Sequence, residues 1–172
     1  FTDIVTTAAT VIVTTGTEVD SLSGLNNIPY YIQKSTDGSV WGNFDSGWVV
    51  SSHTWAGLTT NTTYWFRIKA RDVAGNESGL MSTTTRITLA NPPTTSAIIS
   101  VSSASISIQW AANSNPSYTR WGILRSTDNF STSTATLTTF DSNQTATSYT
   151  DSGLTSAATY YYKVRAFNED AL

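Results

Sequence analysis

Residues Gly57 to Ala70 read GLTTNTTYWFRIKA, and Gly153 to Ala166 read GLTSAATYYYKVRA. In both segments a Leu precedes a Tyr by six residues, and apolar side chains then alternate with polar ones up to the Ala. A period of two over such a length is the pattern of a strand with one buried face. Upstream, IQKSTDGS at Ile32 to Ser39 is echoed by ILRSTDNF at Ile123 to Phe130, in the same order relative to the first pair. The chain therefore carries two copies of one β module in tandem. The matched positions are those that pack, so the repeat speaks for folding and is silent on chemistry.

Strand-like runs punctuated by turns fall at Thr10–Thr15, Tyr30–Lys34, Ser51–Trp55, Tyr64–Ala70 and Met81–Leu89, and again at Ile98–Val101, Ser105–Trp110, Arg120–Arg125, Thr136–Phe140, Ser148–Thr150 and Tyr160–Ala166. Short strands at even spacing predict an all-β protein built of sandwiches. Between the two sets lies Ala90-Asn91-Pro92-Pro93-Thr94-Thr95, where consecutive prolines cannot donate to a ladder and hold the chain extended. The boundary is placed there, with domains over residues 1–89 and 90–172. In the first copy Ala70 is followed by RDVAGNESGLMSTTTRITL, which supplies a last strand, whereas in the second Ala166 is followed only by Phe167 to Leu172. The second sandwich is thus expected to lack its last strand and to leave the preceding one with an open edge. Two explanations stand: a piece of a longer array, or an edge that takes a strand from a neighbouring chain and builds a homo-oligomer.

Hydrophobic residues make up 39% of the 172 and charged residues only 12%, while Ser and Thr fill roughly a third of all positions. Thr suits pleated, half-exposed strands and Ser suits turns, so the surface is hydroxyl-rich rather than ionic. A net charge of −3 and scattered basic residues argue against nucleic acid, whose phosphates call for clustered Lys and Arg. There is no Cys, hence no disulfide framework and no thiolate metal site. No apolar run is long enough to insert into a bilayer as a helix.

The residues resemble the fibronectin type III domain over nearly the whole chain, in two copies. Trp110, Trp121, Leu154 and Tyr160 fit the pattern in the second copy, with Val164 and Ala166 continuing the inward face. Tyr30, Leu58, Tyr64, Ile68 and Ala70 fit it in the first, and ARDVAGNES after Tyr64–Ala70 resembles many bacterial members. The first copy departs at Thr15, where a Trp is expected, leaving Trp41, Trp48 or Trp55 to fill the core. The resemblance implies two immunoglobulin-like sandwiches, an extracellular or cell-surface location in a bacterium, a spacer, display or adhesion role, and no catalytic activity. The Tyr after each Leu is expected to reach back over its corner, with its ring buried and its hydroxyl satisfying backbone in the connection.

Among candidate sites, His53 is the sole histidine and would have to serve any Asp-His-Ser relay; it shares strand parity with Trp55, which predicts a packed ring instead. Asp37, Asp45, Asp72, Asp141 and Asp151 fall at turns, where Asp bonds nearby backbone. Glu18, Asp20, Asn26 and Asn27 bring oxygen donors together, but their spacing matches no calcium loop, so no metal and no cofactor are assigned. Asn61, Asn76, Asn129 and Asn143 carry the glycan-acceptor pattern in turns expected to be accessible. The best binding candidate is aromatic. With Tyr30, Ile32, Tyr64 and Phe66 facing inward, Tyr31, Trp65, Arg67 and Lys69 face outward on strands expected to be neighbours. Tyr31 and Trp65 with Arg67 would form a platform for a glycan ring or a partner protein, against the plain alternative of cross-strand pairs that only stabilise the sheet. The second copy keeps Tyr161 but sets Gly122 opposite it, so the platform is not duplicated. The function expected is a non-enzymatic extracellular spacer or assembly module that contacts neighbouring domains of its own protein and extends to filaments or layers. The rival is a carbohydrate-binding accessory of a secreted polysaccharide-degrading enzyme, using Tyr31, Trp65 or Trp48.

Overall fold

The computed structural model describes residues 3–6, 11–14, 24–41 and 45–170, and the chain divides into two compact units, Phe1–Thr88 and Leu89–Leu172. Unit 1 contains β1 (Asp3–Thr6), β2 (Val11–Thr14), β3 (Leu25–Ser35), β4 (Asp45–Val49), β5 (Ser52–Trp55), β6 (Thr63–Asp72) and β7 (Thr84–Ile87). Unit 2 contains β8 (Thr94–Val101), β9 (Ser105–Ala111), β10 (Arg120–Ser126), β11 (Ala135–Thr138), a 3-10 turn at Phe140–Ser142, β12 (Ser148–Ser152) and β13 (Tyr161–Phe167). In unit 1 the sheets run β1-β2-β5 and β4-β3-β6-β7; in unit 2 they run β8-β9-β12 and β11-β10-β13. All the pairings are antiparallel.

Alternation drives the packing. Along β6, Tyr64, Phe66 and Ile68 are buried while their neighbours are only half-buried, so one face of the strand lies against the opposite sheet. There Trp55 of β5 meets Phe66 at 5.5 Å, in a core completed by Tyr30 and Ile32. Trp55 is therefore the residue that fills the first core, whereas Trp41 and Trp48 lie on the outer face; Thr15 falls outside the described residues. In unit 2, Trp110 of β9 and Trp121 of β10 meet edge to face at 5.8 Å over Ile108 and Ile123. Each fully buried aliphatic or aromatic side chain of this kind contributes about 1.5–3 kcal/mol, so a few residues per core carry most of the stability.

Both corners are tied as the Leu-to-Tyr spacing predicts. The Tyr64 hydroxyl accepts the Thr59 N–H at 3.0 Å, and the Tyr160 hydroxyl accepts the Thr155 N–H at 3.0 Å. Hydroxyls also mend the ladders where they slip. The register shifts beside Ile32 in β3 and beside Ile123 in β10, and there the two N–H groups bond to Ser46 Oγ and Thr138 Oγ1 at 3.0 and 2.9 Å. A buried N–H left open would cost about 1–3 kcal/mol, which gives the hydroxyl-rich composition a structural use.

Several boundaries differ from the sequence reading. β4 is not expected from sequence, because DSGWV has Asp and Gly and no alternation; it forms by pairing with Tyr30 and Tyr31 of β3. β8 begins at Thr94, directly after the prolines, and enters through a left-handed Thr95 (φ 50°) and two register shifts against β9. β11 ends at Thr138, where the chain turns into Phe140–Ser142 and leaves that turn through a left-handed Asn143. Among the described residues β13 pairs only with β10, whereas its counterpart β6 has β3 on one side and β7 on the other.

Candidate functional site

The outer face of the β4-β3-β6-β7 sheet is built from the side chains that alternate away from the core. β6 presents Trp65, Arg67 and Lys69, and its last turn of alternation adds Arg71; β3 presents Tyr31 and Gln33; β4 places Trp48 directly opposite Tyr31. The register pairs Tyr31 with Lys69, Gln33 with Arg67 and Ser35 with Trp65. Tyr31 and Trp65 are therefore four positions apart along the ladder, roughly 13 Å at strand rise, with the Gln33–Arg67 pair between them. They belong to one row and do not touch as a pair.

What the row does bring together is a series of cations on rings. Arg67 donates from Nε to Gln33 Oε1 at 2.7 Å and lies with Cζ 4.0 Å from the centre of the Trp41 ring. Lys69 Nζ sits 5.1 Å from Tyr31 and 5.6 Å from Trp48, and is paired with Glu77. Arg71 Cζ lies 4.2 Å from the other end of the series, the Trp48 ring. Tyr31 and Trp48 contact one another at 5.4 Å, and the Tyr31 hydroxyl donates to Asp45. That bond, aided by burial, raises the Tyr31 pKa, because ionising the phenol would set a second anion beside the carboxylate. Trp65 is covered differently: a Cβ on Gly38 would come within 3.0 Å of its indole, so the loop backbone rests on the ring.

The loop after β3 reaches these rings because Asp37 folds it back. Its Oδ1 accepts the Ser35 hydroxyl and the N–H groups of Ser39 and Val40. Those donors, the Val40 amide first, hold its pKa at about 2. Asp128 repeats the device in unit 2, taking the Ser126 hydroxyl and several bonds from Thr132 and Ser133, and its pKa is also lowered. The shared Ser-Thr-Asp string is thus a turn, as the lone-carboxylate reading anticipates.

In unit 2 the same face is closed. Gly122 is paired with Arg165, not with Tyr161, whose partner is Ser126. A Cβ on Gly122 would stand 2.7 Å from the Phe167 ring, which folds across the strand, and the cations of this face lie on phenyl rings instead of indoles, Lys163 4.3 Å from Phe130 and Arg165 4.5 Å from Phe167. The expectation that Gly122 faces Tyr161 is corrected by this register.

The remaining candidates resolve into packing. His53 meets Trp55 edge to face at 4.4 Å, and burial, with Lys34 nearby, lowers its pKa. Lys34 is itself 5% exposed, 5.0 Å from the Tyr64 ring and 5.9 Å from Trp55, and burial lowers its pKa too. Unit 2 solves the same position ionically: Arg125 Nη1 bonds both oxygens of the buried Asp151 at 3.1 Å, and the Tyr162 hydroxyl donates to Asp151 at 2.8 Å. Burial and that carboxylate raise the Tyr162 pKa. Glu18 and Asp20 lie outside the described residues, Asn26 accepts the Ile28 N–H, and among the described residues no three His, Cys, Asp or Glu side chains gather as metal ligands. Asn76, Asn129 and Asn143 are exposed. Asn61 is not: it is 0% exposed in a left-handed turn over which Thr88 bonds to both Thr59 and Thr62, so the accessibility expected of it fails. No helix among the described residues is long and apolar enough to cross a membrane, which says nothing of β-barrels.

Two sandwiches with this order of elements match a solved two-domain fibronectin type III segment of chicken tenascin, with a TM-score of 0.59 over 95% of this chain and 87% of that one, at 13% identity. The chain has the tandem fibronectin type III fold. No family model matches it. By sequence it is 35% identical over 119 residues to exoglucanase B of Cellulomonas fimi, covering 64% of this chain and 10% of that protein. It is also 35% identical over 105 residues to chitinase A1 of Niallia circulans, covering 55% of this chain and 15% of that protein. The similarity thus spans only a small part of either enzyme.

Proposed function

We propose that this fibronectin type III pair is a non-catalytic, extracellular spacer of a bacterial surface or secreted protein. The observation that carries this reading is that one segment resembles parts of two enzymes whose names denote different polymers. A segment common to an exoglucanase and a chitinase, and amounting to 10% and 15% of them, is not what distinguishes their activities. Support also comes from the build of each unit, with its own core and its own tied corner, which suits a part that sets distance. Pulling the chain end to end tests the spacer: two unfolding events are expected, each releasing about 25 nm or more at roughly 3.4 Å per residue. One event, or hydrolysis of cellulose or chitin by the purified chain, overturns the reading.

The second reading is carbohydrate binding on the outer face of unit 1, favoured by the half-buried Tyr31 and Trp48 rings set 5.4 Å apart. Sugar rings stack on such faces, and the two relatives are named for polysaccharides. A glycan array with the chain and its Trp48→Ala and Trp65→Ala variants decides it. Binding lost in Trp48→Ala supports recognition, and equal signals from all three proteins reject it. Assembly into filaments, and glycans on Asn76, Asn129 or Asn143, are read by light scattering and by intact mass of native material.

A further inference from the structure

Thr88 closes unit 1. It is 0% exposed; its Oγ1 accepts the Thr62 N–H at 3.0 Å and donates to the Thr59 carbonyl at 2.7 Å, and its own N–H bonds the Thr62 carbonyl at 3.1 Å. Three residues further on, Asn91 is bound into unit 2. Its N–H donates to Asn115 Oδ1 at 2.8 Å, its carbonyl accepts from Asn115 Nδ2 at 2.8 Å, and its own Nδ2 donates to the Asn113 carbonyl at 3.0 Å. Asn113 adds a fourth bond, from Nδ2 to the Pro92 carbonyl at 2.8 Å. Asn115 is 8% exposed and is itself held by the Ala112 carbonyl at 2.7 Å. Asn113 takes left-handed backbone (φ 52°), which Asn tolerates better than most residues.

Pro92 and Pro93 then lead to the first ladder pair of β8, Thr94 with Ala111. Neither proline has an N–H to leave open, and each ring fixes φ. The residue before a proline is kept out of the helical region, so Asn91 is restricted by Pro92 as well as by its amide bonds. The prolines that look like a linker in the sequence thus belong to the framework of unit 2. Only Leu89 and Ala90 lie between the last anchor of unit 1 and the first anchor of unit 2.

We propose that Asn91, Asn113 and Asn115 form a clasp that fixes residues 91–93 to unit 2 and confines motion between the units to the backbone of Leu89 and Ala90. Thr88 to Asn91 is three peptide steps, at most about 11 Å, whereas the seven steps across a free Ala90–Thr95 segment would allow about 25 Å. The clasp turns a six-residue tether into a two-residue hinge. It does not depend on the spacer reading.

Amide exchange and backbone relaxation of the isotope-labelled full chain test it. Asn91 is expected to exchange as slowly as the strand amides of β9, and a dip in the order parameters is expected at Leu89 and Ala90 alone. Because the chain has no Cys, S82C and S156C, at two exposed serines, carry a pair of spin labels that read the spread of distances between the units. Asn115→Ala should speed exchange at Asn91 at least tenfold, extend the dip to Thr94 and broaden the spread. Asn113→Gly removes only the bond to Pro92 and suits the left-handed backbone, so it keeps unit 2 folded if Asn115→Ala does not; it should produce the same changes to a smaller extent. Fast exchange at Asn91 in the unaltered chain, or a dip that already reaches Thr94 there, overturns the proposal. So does an Asn113→Gly chain with unchanged exchange at Asn91 and an unchanged spread of distances.

Discussion

Replacing Tyr64 or Tyr160 with Phe removes one oxygen and little else, and the two corners differ in how much water can take its place. Tyr64 is 4% exposed, and its hydroxyl accepts the Thr59 N–H at 3.0 Å in a partly buried corner. Tyr160 is half-buried, and its bond to Thr155 lies at the exposed surface. An N–H that loses its acceptor away from water costs about 1–3 kcal/mol, whereas one that water can reach loses only the net bond, about 0.5–1.5 kcal/mol. Tyr64→Phe is thus expected to cost about 2 kcal/mol and Tyr160→Phe about 0.7 kcal/mol by the same rule. For units of this size 1 kcal/mol moves the melting point by about 4–8 °C, so the shifts are roughly 8–16 °C and 3–6 °C. Calorimetry of the full chain resolves the transition that each variant moves, and amide exchange at Thr59 and Thr155 reports the bonds themselves. Equal shifts in the two variants, or a larger one for Tyr160→Phe, would refute the argument that burial sets the cost.

Gly122→Ala must push against the Phe167 ring, which is 4% exposed and packed on Phe140, and is expected to destabilise unit 2 by about 1–3 kcal/mol in urea unfolding. Arg125→Met leaves Asp151 buried with only the Tyr162 hydroxyl; a fully buried pair broken this way loses about 3–5 kcal/mol, and partial exposure of Arg125 lowers the expectation to about 2–3 kcal/mol, read from the same urea curves. Asp37 has its folded pKa held at about 2, below the ordinary value of about 3.9, so its contribution is complete above the ordinary value and is lost as pH falls through about 2. Thermal scans across that window should show a step in unit 1 that is missing in Asp37→Asn, and a carboxyl resonance titrating near 4 would contradict it.

Much of the inward architecture is legible because it repeats. Tyr64, Phe66 and Ile68 share their alternation with Tyr160, Tyr162 and Val164, and only a strand with one wet face satisfies both strings. β4 escapes because its pairing depends on a bulge in β3 and on the Ser46 hydroxyl, neither of which leaves a local pattern. The outer row is half legible: parity sends Tyr31, Trp65 and Arg67 outward, but register decides which of them meet, and parity carries no register. Trp41 is reached only through the Asp37 turn; the twin Ser-Thr-Asp strings are the available signal that the loop folds back. The turn that holds Asn61 is tied by Thr88, which is 27 positions away in the chain and bonds Thr59 and Thr62 from beyond β7.

The two outer faces have diverged while the framework beneath them stayed alike. One bears cations laid on indoles, and the other bears cations laid on phenyl rings, with Phe167 folded over Gly122. Away from Gly122, where Phe167 fills the space of a Cβ, side chains there meet strand neighbours and the loops folded over them, and an altered residue on that skin leaves the two cores in place. Such a scaffold lets a duplicated gene explore new surfaces at little risk to folding, and it offers an engineer a place to graft recognition onto one module while its twin serves as the inert control.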